Sequence, residues 1–189
     1  MKVKYRTVII DPPWLHKTCN VGTIKTIGVK KDMPYSSMTD EEILNFPINN
    51  FAADECDLFL WVTHTKLPQA LKCLKFWGFK YHIMLTWNKL SGICLNGFFR
   101  KTELLLYGYR GKMGISRKKG KYIPTMFQEK VKRHSEKPAV IYDIIRKRSA
   151  SPRIDLFARK KHPGFDSWGD EVDQNQVTLK NYQNRDKKQ

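Results

Sequence analysis

The 189-residue chain is poor in the residues that staple a small protein together. It has four cysteines, Cys19, Cys56, Cys73 and Cys94, and no C-x-x-C pair among them. That spacing argues against a zinc site and a disulfide framework, so the thiols are read as reduced and the protein as cytoplasmic. No apolar run approaches the roughly 18 residues that cross a bilayer, so no spanning helix is expected. Met1–Asp11 holds no long apolar stretch and no small-residue cleavage site, so no export signal is expected either. No internal repeat is visible. Acid is scarce relative to base: 18 Asp plus Glu stand against 35 Lys plus Arg, a formal charge of +17. A charge that large repels itself in the folded state, and a polyanion is the partner it suggests first.

What is present is enough for a core. Hydrophobic residues make up 41% and aromatics 12%, mostly in runs, which excludes a disordered tail. The charge is concentrated. Leu58–Gln128 carries 13 Lys or Arg and one acid, Glu103. Its densest part, Arg110–Lys121, contains Arg110, Lys112, Arg117, Lys118, Lys119 and Lys121 with three glycines. Such a segment cannot pack as a core element, and it is read as an exposed loop holding phosphates rather than a merely solvated surface.

The apolar pattern alternates strands and helices. Val3–Ile10 is a β-branched run stopped by Asp11-Pro-Pro-Trp14. Thr39-Asp-Glu-Glu42 is a capping box that starts a helix near Asp40. Asp57–Thr63 has strand length. Leu67–Trp77 has helical spacing and is closed by Gly78. Phe79–Trp87, Thr102–Tyr109 and Ile123–Phe127 read as strands. Ser135 could cap a helix with Pro138 near its first position, and Arg153–Ala158 is a last strand. The pattern predicts an α/β fold with a largely parallel sheet and helices on both faces. Ligands then sit beyond the strands' carboxyl ends, at Asp11–Trp14, Thr63–Lys66, Asn88–Lys89 and Arg159–Glu171. The polar stretch from 173 to 189 is expected to be a tail to a single domain over 1–172.

Asp11-Pro-Pro-Trp14 carries the chemistry. A carboxylate, two fixed carbonyls and a flat indole suit a planar base held by its exocyclic amine. An aromatic 6-amino group is a poor nucleophile because its lone pair is delocalised. Hydrogen bonds from it to Asp11 and the Pro12 carbonyl would favour a pyramidal nitrogen. The bland alternative is a Pro-Pro turn with a capping Asp and a core Trp.

Asp11-Pro-Pro-Trp14, Pro34–Met38 and Leu58–Thr63 together resemble the mRNA-adenosine-methylase-like (MT-A) family of adenine-N6 methyltransferases. Thr102–Gly108, His134–Pro138, Arg153–Arg159 and Trp168–Val172 agree with it in order. The resemblance implies a Rossmann-like methyltransferase fold, S-adenosylmethionine as methyl donor and a nucleic-acid adenine as acceptor. It implies Asp11, Pro12, Pro13 and Trp14 as the catalytic set. Asp11, Ser135, Lys137, Phe157, Arg159, Asp170 and Glu171 would hold the donor. Tyr35 would sit beside the target base, and Glu103 would line the substrate side together with the basic loop. The family commonly has Asn where this chain has Asp170, and no Gly-x-Gly loop follows the donor-binding strand. His162 has no assigned role and reads as an ordinary surface residue. The expected substrate is DNA, with the adenine flipped out of the duplex. RNA is the nearest alternative, and a non-catalytic nucleic-acid-binding subunit is the alternative from another class. No insertion large enough for a target-recognition domain is visible, so either a short recognition site or help from a protein partner or dimer is expected.

Overall fold

The computed structural model describes residues 3–15, 37–95, 97–115, 122–131 and 136–169. Seven strands form one sheet. They are β1 (Tyr5–Ile10), β2 (Ala52–Val62), β3 (Lys80–Leu95), β4 (Phe98–Arg110), β5 (Met126–Gln128), β6 (Arg153–Leu156) and β7 (Asp166–Trp168). Their order across the sheet is β5-β3-β4-β2-β1-β6-β7. β1 pairs in parallel with β2 and β6, β6 with β7, and β3 with β5. Only β4 runs against its neighbours, β2 and β3.

Alternation along the strands builds two cores. Val8, Ile10, Leu58, Leu60, Leu104 and Leu106 face helices α1 (Asp40–Leu44) and α2 (Leu67–Phe76). Ile9, Phe59, Trp61, Leu105 and Tyr107 face α3 (Ala139–Arg148). Helices therefore cover both faces, as a parallel sheet requires. The sheet is a Rossmann-like α/β arrangement.

Local signals act as expected in several places. Thr39 caps α1 in a full capping box with Glu42. Gly78, at φ +79, ends the turn after α2. Other expectations need correction. Pro138 is the N-cap of α3 and not its first helical residue, and no side chain caps there. Instead Glu129 accepts from the Val140 N–H at 3.0 Å. Ser135 lies outside the described residues. The strand expected over 153–158 stops at Leu156 because Phe157 turns at φ +61. The gap expected between residues 87 and 102 is filled. β3 and β4 both run on as a hairpin arm past the sheet, with the β3 side bulged between Asn88 and Ile93.

β4's reversal decides where things lie. Leu104 pairs with Val62, at the carboxyl end of the parallel strands, while Arg110 pairs with Cys56 at the opposite end. The first end is called the head of the sheet below, and the second its foot. Cys56 and Cys73 are buried free thiols. Among the described residues no helix is long and apolar enough to cross a membrane.

Candidate active site

Asp11 follows Ile10 directly at the head of β1. Its N–H donates to the Leu156 carbonyl at 3.2 Å, which ties the turn to β6. The two prolines then steer the chain so that the Trp14 N–H reaches the Pro12 carbonyl at 2.8 Å. The Pro13 carbonyl accepts from the Met38 N–H at 2.8 Å, and Leu15 N–H donates to the Met38 carbonyl at 3.0 Å. Residues 13–15 and 38 thus form a small parallel bridge.

This geometry corrects two readings. The Pro12 carbonyl is not an open acceptor, because Trp14 already uses one of its lone pairs. A second lone pair remains for a substrate. Trp14 is not a stacking platform. Its side chain is 4% exposed, packs in the core under α1 and α2, and donates from its indole to the Trp61 carbonyl at 3.1 Å. The tryptophan anchors the turn from the sheet face opposite Asp11. A ring with both faces packed cannot receive a base.

The chemistry gathers on the α3 face. Lys137 lies just before α3, and its ammonium sits 3.2 Å from Asp11 Oδ1 and 2.9 Å from Glu103 Oε2. It also lies over the Trp61 ring, 5.0 Å from the centroid. Lys89 takes the other oxygen of Glu103 at 3.1 Å. Asp11 from β1, Trp61 from β2, Glu103 from β4 and Lys89 from β3 therefore make one row across the head of four strands.

The two carboxylates sharing Lys137 are not equivalent. Burial would raise both. Glu103 has two ammonium partners, Lys137 and Lys89, and they hold it at about 2. Asp11 is raised by burial, and the opposing pull of Lys137 and Arg159 does not fully offset it. Glu103 adds to the rise by repulsion. Lys137 is itself desolvated, yet its two carboxylates keep it more firmly protonated than an ordinary lysine. A permanent anion, a permanent cation and one carboxylate raised by burial stand side by side.

The remaining expected residues divide. Arg159 faces the cluster, close enough to act on the Asp11 charge. The Phe157 ring is committed to an aromatic box with Phe46 and Trp168, at centroid distances of 5.1 and 5.4 Å. The ring is half-buried in that box. Arg110 and Lys112 are not at the site. Arg110 lies at the foot of the sheet, where it donates to Asn49 Oδ1 at 2.6 Å and to the Ala53 carbonyl at 3.1 Å. Its guanidinium covers the Phe79 ring. It is a brace, and the phosphate-holding role is not supported for it. Lys112 is exposed beside it. Tyr35, Arg117, Lys118, Lys119, Lys121, Ser135, Asp170 and Glu171 lie outside the described residues. His162 is no plain surface residue. Its ring stacks on Tyr142 with centroids 3.5 Å apart and planes 5° apart.

Sequence reasoning put Lys89 at a strand end without giving it work, and it missed Trp61 as the surface under Lys137. A carboxylate alone in a long basic stretch was the available signal for Lys89: Glu103 needed cations, and the strand pairing brings Lys89 beside it. Asp155 was missed as well. Burial pushes this β6 carboxyl up to about 8, with the Tyr142 hydroxyl bonded to it. No group of three or more metal-ligating side chains occurs among the described residues.

A family model described as MT-A70 matches residues 5–171. The chain is 28% identical over 190 residues to the Type II methyltransferase M.MunI of Mycoplasma sp, covering 93% of this chain and 81% of that one. It is 29% identical to the human N(6)-adenosine-methyltransferase catalytic subunit METTL3, covering 90% of this chain and 28% of METTL3. Over 89 residues it is 34% identical to the Arabidopsis thaliana N6-adenosine-methyltransferase non-catalytic subunit MTB, covering 47% of this chain and 11% of MTB.

Proposed function

The chain belongs to the MT-A70 family, and on that premise we propose that it transfers a methyl group from S-adenosylmethionine to the 6-amino group of adenine in DNA. The observation that carries this reading is the Asp11–Lys137–Glu103 cluster at the head of the sheet. Asp11 accepts a hydrogen bond from the amine, and the Pro12 carbonyl offers its second lone pair. Together they favour a nitrogen whose lone pair points away from the ring. Lys137 keeps Asp11 ionised, and the Glu103–Lys89 pair keeps Lys137 charged and in place. No strong base is needed to begin: as the nitrogen–carbon bond forms the methyl's bond to sulfur would break and leave a neutral thioether, and the cationic amine would then pass its proton to Asp11 or to water.

The donor set fits S-adenosylmethionine, which combines a carboxylate with cationic centres. Lys137 and Arg159 are cations suited to the carboxylate, and Asp11 is an anion suited to the positive groups. When bound, the donor supplies an electrophilic methyl. Residues 1–172 act as one catalytic domain; the tail expected over 173–189 lies outside the described residues.

DNA is favoured over RNA because the chain spans 81% of a Type II methyltransferase and only 28% of the adenosine methyltransferase METTL3. The likeness to a non-catalytic subunit covers about half the chain, and a degenerate subunit has no need of a complete Asp11–Lys137–Glu103 cluster. The test is methyl transfer from labelled donor to adenine-containing duplex, single strand and RNA. Transfer to duplex first supports the reading; transfer to RNA alone would reassign the polymer, and transfer to none would sink the activity.

A further inference from the structure

The hairpin arm of β3 and β4 leaves large apolar rings in water. Phe98 is 73% exposed and Phe99 57% exposed. They stand beside Arg100 and Lys101, in a stretch whose one acid, Glu103, is already held by Lys89 and Lys137. The arm is shaped on purpose. Leu90 sits at φ +62, with its N–H on Asn88 Oδ1 at 3.1 Å. Gly92 passes so close to β4 that a Cβ there would stand 2.5 Å from the Arg100 carbonyl oxygen. Gly97 makes the turn at φ +79.

Direction follows from the strand period. Residues 99, 101, 103, 105 and 107 share one side of β4. Leu105 and Tyr107 are in the α3-side core, and Glu103 is in the active cluster. Phe99 and Lys101 therefore extend the row that holds the site. Phe99 lies about 13 Å beyond Glu103 along the strand, at ~3.3 Å per residue. The Lys101 ammonium lies over the Phe99 ring, 5.3 Å from its centroid.

We propose that this arm is the nucleic-acid-engaging wedge, in which Phe99 stacks on a base beside the extruded adenine while Lys101 and Arg100 contact the flanking phosphates. The inference rests on the adenine-methylating reading above and assigns it a recognition element. An extruded base leaves unstacked neighbours, and an aromatic face on a cationic support meets that need. The charge disfavours a cationic partner surface and favours a polyanion.

The test uses the full chain, a fluorescently labelled DNA duplex containing adenines, and binding measured apart from catalysis. Phe99→Ala should weaken duplex binding by about ten- to a hundredfold, and Phe99→Trp should restore it, its fluorescence falling as a base stacks on it. Lys101→Ala should flatten the log–log salt dependence by about 0.9. Methylation lost in Phe99→Ala should return at least in part when the target adenine faces an abasic site, where no base pair has to be broken for extrusion. Wild-type affinity and salt slope in the alanine variants would overturn the inference. A change confined to sedimentation behaviour would overturn it too, making the arm a protein-docking surface. If the wild type methylates no polymer but the binding results hold, the activity is at fault and the arm stands.

Discussion

The two ends of β4 are both basic, and they do opposite jobs. At the foot, Arg110 spends its guanidinium on Asn49, Ala53 and Phe79. At the head, Lys101 and Arg100 flank exposed rings, and the strand's one acid is held by two lysines. Charge density along the sequence does not distinguish them: Arg100 and Lys101 stand at one end, Arg110 and Lys112 at the other. The difference comes from the sheet. A cation near other chain polar groups becomes structural, whereas one on a projecting arm stays available to a ligand. Net charge thus tells that a polyanion is a suitable partner, and strand direction tells where it lies.

The largest break in this comparison comes from the head. Asp11→Ala should lower methyl transfer at least about a hundredfold with the fold intact, since a charge-assisted hydrogen bond worth ~1.5–3 kcal/mol is lost together with alignment. Normal turnover in that variant would remove Asp11 from catalysis. In the wild type, kcat/KM should fall on the acid side through a pKa above the ordinary aspartate value of 3.8, because burial raises Asp11 and only its ionised form accepts the amine. An acid limb at or below that value would contradict the reading.

Lys89→Met should come next, at about tenfold in kcat/KM, the size of one charge-assisted hydrogen bond acting through a neighbour. With one ammonium gone, Glu103 rises from about 2 and draws Lys137 away from Asp11. The acid limb should then move to higher pH. A rate loss without that movement would make Lys89 a purely structural residue.

The foot should respond in another currency. Arg110→Ala should cost ~1–2 kcal/mol of stability, read from the urea midpoint, by loss of two hydrogen bonds and a ring contact. Its salt slope for duplex binding should not change. Lys112→Ala, the smallest effect, should alter neither stability nor slope measurably. A slope lower by about 0.9 in either variant would bring the foot into the nucleic-acid footprint and blur the contrast.

Much of this was legible beforehand because it depends on short-range chemistry. The capping box at Thr39, the apolar run of β2 and the stop at Asp11-Pro-Pro-Trp14 each act over a few residues. Lys137 was legible as a site residue only through family resemblance, since 126 positions separate it from Asp11 and no periodicity links them. The arm was not legible. Residues 88–97 carry glycines and polar groups that read as a loop, and pairing across the hairpin overrides that preference. β7 was missed because three residues show no alternation and are held only by pairing with β6. The Trp14 error has a different origin. An indole beside a carboxylate in sequence looks like a recognition face, but successive residues leave a turn in different directions, and this one entered the opposite core.

The bridge between Trp14 and Met38 has a mechanical consequence. Hydrogen bonds from Met38 to Pro13 and from Leu15 to Met38 rivet the catalytic turn to the entrance of α1. With the Asp11 N–H on the Leu156 carbonyl, the turn is fastened at both of its flanks. A turn fastened in this way loses little conformational freedom when a substrate arrives, because its geometry is set before binding.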